Sequence, residues 1–399
     1  MAYKFTRLFV DTAIISSNGY ALRRLVEYPT TEGLEYELNS TGYYICNGRG
    51  TSVDSAIVIA YAVDGVAVTT IKDVAFYHDI RMTSLVIPDS VTTLGTQVFE
   101  GCENLSKVVF EGHSAITIIP QAAFRECSNL EYIDIPNTVT QIDSSAFYLC
   151  SNLAKINIPN SVKLFGASAF SGCSKLTSVN IPNGVTELPN YMLSECSSLT
   201  NIDVPDTVKT VGNYVFHKCT GVTSLTLPTC VTNIGRGAFA GCTNLASLTM
   251  PCVSTGASPS LGNFFSYPNG SSTTGTYNAR YVPQSLKTVV ITEGSMTYID
   301  NVTFQDCQYI ESITLPDTVT QLGTQAFKGC TNLSSLVIGS GVRTILSDAF
   351  RGCANLSSIT FTGTVAQWNE IQTVGQVWDP VPAEYAVCSD GTVTLEKSV

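Results

Sequence analysis

The sequence predicts a solenoid, a stack of about twelve coils with one parallel β-strand in each. Three observations predict it. Cysteine recurs at a fixed interval, large apolar residues keep step with it, and a proline follows a β-branched stretch at a constant offset.

The interval comes first. Cys127, Cys150, Cys173, Cys196, Cys219 and Cys242 stand 23 residues apart, as do Cys307, Cys330 and Cys353. Cys102 precedes Cys127 by 25 residues, a two-residue insertion. Three residues before each cysteine stands Phe99, Phe124, Phe147, Phe170, Leu193, Phe216, Phe239, Phe304, Phe327 or Phe350. Phe76 extends that column by one coil, with Asp79 where the cysteine would be. Aliphatic residues follow three after the cysteine, from Leu105 to Leu356, and apolar pairs such as Ile133 and Ile135 come next. A proline such as Pro136 or Pro159 and then a valine such as Val139 or Val162 complete the unit. It reads C-x-x-L-x-x-I-x-I-P-x-x-V-x-x-I-x-x-x-A-F. A period in this range with a Leu-rich strand marks a leucine-rich-repeat solenoid, mostly β, with short turns and 3-10 segments opposite the strand stack.

Each part of the unit has a physical role. The segment L-x-x-I-x-I is β-branched and alternating, which favours a strand. Proline ends it because it cannot donate to the ladder. The V-x-x-I segment returns along the other side, and A-F-x-x-C turns into the next coil. One coil has too little apolar surface to offset its ordering entropy, so stacking must cover each apolar edge. The cysteine column then faces the core, where a free thiol behaves as a small hydrophobe. No C-x-x-C pair or Cys/His cluster has zinc-site spacing. Cys46, Cys230, Cys252 and Cys388 fall outside the column and receive no role.

Composition excludes several functions. Net charge is −11 and 13% of residues are charged. Nucleic-acid binding draws its affinity from Lys and Arg, so no nucleic-acid partner is expected. No run of 18 apolar residues exists, so no membrane insertion is expected. The N-terminus, MAYKFTRLFVDTAIISSNGY, has Asp11 inside its apolar stretch and does not read as a secretory signal. No phosphate-binding loop, nucleophile elbow or H-E-x-x-H motif is present, so the chain is expected to be no enzyme and to need no cofactor. His78, His113 and His217 lack partners at motif spacing and are expected at the surface.

Candidate binding residues fall in two places. The outward strand positions lie five and seven residues after each cysteine. They include Tyr132, Asp134, Asn157, Asn180, Asn201 and Asp203, a polar ladder suited to hydrogen-bonding a macromolecule. The alternative is a solvated face with no partner. The second place is an insertion at about 252–285, which breaks the register. Its Phe264, Phe265, Tyr267, Tyr277 and Tyr281 could serve as adaptable aromatic contacts or pack on the solenoid. Trp368 and Trp378 lie in a C-terminal cap, 363–399, either as a plug over the open end or as a sugar-stacking platform. The solenoid proper spans 34–362, and residues 1–33 form a segment of unknown role.

These residues resemble the BspA-like leucine-rich-repeat family, also called the Treponema pallidum type. The units SKLTSVNIPNGVTELPNYMLSEC and TNLASLTMP follow its repeat almost letter for letter. Residues 34–76 are similar to its lead-in segment and 363–395 to its C-terminal cap. The resemblance implies adhesion, with a protein or glycan on a cell or matrix surface as partner. It also implies an extracellular or surface-exposed place. With no export signal read, that means a virion or a trimmed secreted form. The alternative function is a virion structural protein, a phage tail or head-surface component that uses the solenoid for host attachment. In that case residues 1–33 would contact an assembly partner.

Overall fold

The structure is a computed structural model that describes residues 6–15, 21–253, 261–266, 281–378 and 381–395. The chain divides into two compact units, 1–182 and 183–399. Both are built from the same coil, and about 14 turns are counted over the two. That is slightly more than the motif letters alone give. Strands at Ala56–Val58 and Tyr385–Cys388 add rungs without carrying the motif.

In the first unit the strands Ala56–Val58, Ser84–Ile87, Lys107–Phe110, Tyr132–Asp134 and Lys155–Asn157 pair in parallel. The return segments form a second, shorter ladder at Ile118–Ile119, Gln141–Ile142 and Leu164–Phe165. Before the coils, Thr6–Ile15 and Ala21–Pro29 make an antiparallel two-stranded sheet of their own. In the second unit a sheet runs from Ser224–Thr226 through Ser247–Pro251, Thr288–Thr292, Ser312–Thr314, Ser335–Ile338 and Ser358–Phe361 to Tyr385–Cys388. Gly391–Thr394 closes it in antiparallel fashion.

The A-F-x-x-C segment is a run of turns with a fixed hydrogen-bond alternation. Ala146, Tyr148 and Cys150 donate their N–H groups to Asp143, Ser145 and Phe147 within the turn. Ser145, Phe147 and Leu149 donate theirs to Ala167, Ala169 and Ser171 of the next coil. Every buried backbone donor here is thereby paired. The geometry requires two left-handed residues per coil, such as Ser145 at φ 57 and Leu149 at φ 58. The second of these positions is often glycine, as at Gly172 and Gly329, which removes the side-chain cost.

The core holds the expected columns. Phe76, Phe99, Phe124, Phe147 and Phe170 stack with ring centroids 5.3–5.6 Å apart. The cysteines are buried and reduced. Their position also has a polar reason. Cys150 Sγ donates to the carbonyl of Phe124 at 3.0 Å, and Cys127 and Cys173 repeat the contact at 3.2 Å. A valine would leave that second acceptor site of the carbonyl empty. Cys230 lies in a different column. Thr138, Ser161 and Thr207 each donate a hydroxyl to the carbonyl of Ile116, Val139 or Val185 at 2.7 Å. Cys230 makes the equivalent bond to Val208 at 3.1 Å, so its thiol replaces a hydroxyl.

The two ends of the cysteine and phenylalanine columns are finished differently. Asp79 takes the first cysteine position and pairs with Arg49, both side chains buried. At the other end Trp378 stacks on Phe350 at 4.9 Å, and Trp368 stacks on Trp378 at 5.7 Å. Both tryptophans are buried, as a plug requires. The short helix Val365–Asn369 that carries Trp368 starts at a capping box formed by Thr364 and Gln367.

Two expectations need correction. His217 is buried, not at the surface, because it sits one coil above Ser194 in the turn column. Phe264 and Phe265 are core residues, 1% and 0% exposed, and are unavailable as contacts. The 3-10 turn Leu261–Phe265 stands in for the missing turn segment of the next coil: Phe239 donates its N–H to Phe264 O at 2.8 Å. The two rings therefore carry the phenylalanine column across the insertion, 5.7 and 6.2 Å from Phe239. A gap in the sequence register hid a continuous column in space.

Candidate binding face

The outward positions of the first unit form one ordered surface. Lys107, Tyr132 and Lys155 are in register on three successive strands. Asp134 and Asn157 are in register two residues further on. Asn180 lies on the strand Ser178–Asn180, also outward and exposed. All of these side chains are exposed because strand alternation points them away from the inward Val108, Ile133, Ile156 or Val179 beside them.

Tyr132 is fixed on this surface. It is 43% exposed, and its hydroxyl donates to the Asp134 carboxylate. That bond, with some burial and the nearby charge, pushes the phenol up to about 12. A hydroxyl that reaches the carboxylate two residues along the same strand makes the ring lie down on the sheet. Lys107 and Lys155 have no ion pair among the described residues, whereas Lys218 and Lys287 pair with Glu195 and Glu311.

The second unit presents a different surface. Asn201 and Asp203 are exposed on one strand. Beyond them the outward letters are hydroxyls except for two valines. Ser224, Ser247, Thr288, Ser312, Ser335 and Ser358 align across six strands. Thr226, Thr249, Val290, Thr314, Val337 and Thr360 align beside them. Neither row holds a charge or an aromatic ring.

The insertion contributes less than its composition suggests. Tyr267 and Tyr277 lie outside the described residues, and Tyr281 is half-buried. A cleft of about 30 Å³ is lined by Phe264, Tyr298, Asp300 and Phe304 among others. Burial raises the Asp300 carboxyl above the usual range. The volume suits one or two waters, not a metabolite. Sequence reading also missed a Ser194–His217 contact, Oγ to Nδ1 at 3.1 Å. Their 23-residue separation was the available signal. Both are buried, and burial lowers the His217 pKa. The pair packs the turn column. Among the described residues no group of three or more His, Cys, Asp or Glu is placed to hold a metal ion. No helix there is long and apolar enough to cross a membrane.

The family profile described as the BspA-type leucine-rich repeat region matches residues 69–200, 142–259 and 276–372, in six copies. The chain belongs to that family. Solved structures of bacterial leucine-rich-repeat proteins are similar to it. A leucine-rich repeat protein from Bacteroides ovatus is 24% identical, with a TM-score of 0.57 over 86% of this chain and 90% of that one. A leucine-rich repeat protein from T. pallidum is 27% identical, with a TM-score of 0.44 over 54% of this chain and 88% of that one. A leucine rich cell surface protein from Faecalibacterium prausnitzii is 26% identical, with a TM-score of 0.43 over 86% and 97%. The Bacteroides ovatus likeness shows the fold alone. No curated protein sequence matches the chain.

Proposed function

We propose that this chain is a non-enzymatic binding protein whose strand face engages a protein or glycan on a cell or matrix surface. One observation carries the reading. The face of the first unit holds an exposed ring, bonded through its hydroxyl, between two ammonium groups that have no ion pair among the described residues, with a carboxylate and an amide alongside. These groups stand exposed on a ladder of paired strands. A shallow polar face without a deep pocket suits a macromolecule better than a metabolite. The BspA-type membership supports adhesion and a surface-exposed or secreted location.

The test is an array of glycans and matrix proteins probed with the folded full chain and with Tyr132→Ala. Micromolar binding that the substitution removes supports the reading. Binding that survives Tyr132→Ala but is lost on deleting residues 267–280 moves recognition to the insertion and ends it.

A second reading, a virion attachment protein anchored through residues 1–33, has one observation in its favour. Among the described residues the strands Thr6–Ile15 and Ala21–Pro29 pair with each other alone, and a two-stranded sheet can take a partner strand at an edge. Removing residues 1–33 should then change the oligomeric state in solution. An unchanged state counts against an assembly role.

A further inference from the structure

We infer that the ligand of the first-unit face is an acidic glycan, a sugar whose ring stacks on Tyr132 while its anionic group meets Lys107 and Lys155. The inference rests on the binding reading above and names its ligand class.

The argument begins with the ring. Tyr132 lies along its strand because its hydroxyl is held by Asp134. The side chain is 43% exposed, so ring surface stays open to water. A fixed aromatic face open to water is a platform for the apolar side of a pyranose, and it loses little rotamer freedom on binding. Next come the charges. Lys107 and Lys155 are in register with Tyr132 on the strands either side, so each backbone lies about 4.8 Å from it. Neither ammonium has an ion-pair partner among the described residues. Asp134 keeps its negative charge while it accepts the tyrosine hydroxyl, so two ammonium groups stand against one carboxylate around the ring and the local balance is cationic. A ligand seated on the ring therefore meets a cation on each side, and an anionic substituent gains on both. Asn157, beside Asp134, offers an amide donor and acceptor to the sugar hydroxyls.

The chain as a whole is acidic, with 32 Asp and Glu against 21 Lys and Arg. A general attraction for polyanions does not arise from that balance. The preference is local, and it needs the ring as well as the charge. An acidic peptide must bring a ring or proline at the right spacing from its carboxylates to use both features, whereas an acidic pyranose carries the apolar face and the charge on one ring, so the geometry favours the sugar.

The experiment is calorimetry on the full chain with four probes: oligogalacturonate, its methyl ester, a neutral galactan and a sulfated galactan. The expected result is binding to oligogalacturonate or the sulfated galactan, with the ester and the neutral chain at least about tenfold weaker, and weakening as salt rises. Comparison of the first and last probes distinguishes a carboxylate from a sulfate. Lys107→Gln and Lys155→Gln should each weaken binding roughly 2- to 5-fold. Tyr132→Ala should abolish it, and Tyr132→Phe, which keeps the ring but releases it from Asp134, should weaken it by less than Tyr132→Ala does. Circular dichroism verifies each fold. Equal affinity for acid and ester overturns the acidic preference and leaves the binding face intact. Binding to a matrix protein at this face, with no probe sugar bound, also overturns the inference alone. Sugar binding that ignores Tyr132→Ala, Lys107→Gln and Lys155→Gln overturns both the inference and the face.

Discussion

The strand face of residues 84–180 and that of residues 224–360 share a backbone and a core, yet their outward letters differ almost throughout. The first carries Lys107, Tyr132, Asp134, Lys155 and Asn157. The second carries two rows of small residues, mostly hydroxyls. The inward letters hardly change between them: phenylalanine stacks on phenylalanine at 5.4 Å in one and 5.2 Å in the other. The difference teaches that the repeat constrains only what faces in. A close-packed column rejects changes of volume, while a solvated strand position accepts most side chains. Recognition can therefore be written on a few outward positions without cost to the fold.

The largest expected effects come from the shared interior. Phe147→Ala in the first unit and Phe327→Ala in the second should each destabilise by about 3–5 kcal/mol, since each leaves a ring-sized cavity between two stacked neighbours. Urea unfolding of both variants compares them directly. A loss well under 1 kcal/mol in either unit would show that its column is not close-packed. Arg49→Met should cost up to about 3–5 kcal/mol, because buried Asp79 loses its close partner and keeps only the longer contact to exposed Arg81 at 3.8 Å. Adding Asp79→Cys should restore much of it by extending the thiol column one coil. If the double variant is no more stable than the single one, Asp79 is not held as a buried ion.

Alkaline pH tests the thiol column in both units at once. Burial pushes Cys102 in the first unit, and Cys242, Cys307 and Cys353 in the second, up to about 12. In an unfolded chain a thiol loses its proton near about 8.5. Only the unfolded state then releases protons between those values, so raising the pH favours unfolding. Stability should be level below about pH 8 and fall as pH rises toward 12, by up to about 1.4 kcal/mol per pH unit for each buried thiol. Urea midpoints at pH 7.5, 9 and 10.5 measure the slope. A midpoint that stays level to pH 10.5 means the column thiols are hydrated.

The sequence made the interior legible because burial acts on every coil alike. The fixed interval located the stacked rings, the thiols and the strands, and it located Tyr132, Asp134 and Asn157 on the outward side. Three features were hidden, each for a physical reason. Phe264 and Phe265 rejoin their column from a 3-10 turn, and periodicity is blind to a replacement from out of register. Cys230 does the work of a threonine, a substitution visible only when its acceptor is known. Lys107 and Lys155 were in plain view on the outward row, but their significance lies in being unpaired and in flanking a ring, which no single strand records.

The smallest expected change in stability gives the sharpest test of the comparison. Ser247, Thr288 and Ser312 occupy in the second unit the same in-register arrangement as Lys107, Tyr132 and Lys155 in the first, and Val290 stands where Asp134 does. Ser247→Lys, Thr288→Tyr, Val290→Asp and Ser312→Lys together transplant the surface without touching an inward residue. Each substitution should shift stability by no more than about 0.5 kcal/mol. The quadruple variant, made in a Tyr132→Ala background, should regain affinity for the acidic sugar that Tyr132→Ala removes. The four positions are half-buried, less open than their counterparts, so recovery should be partial. If the variant folds normally and regains nothing, the outward letters do not suffice for recognition, and the local twist or neighbouring coils of the first unit must contribute.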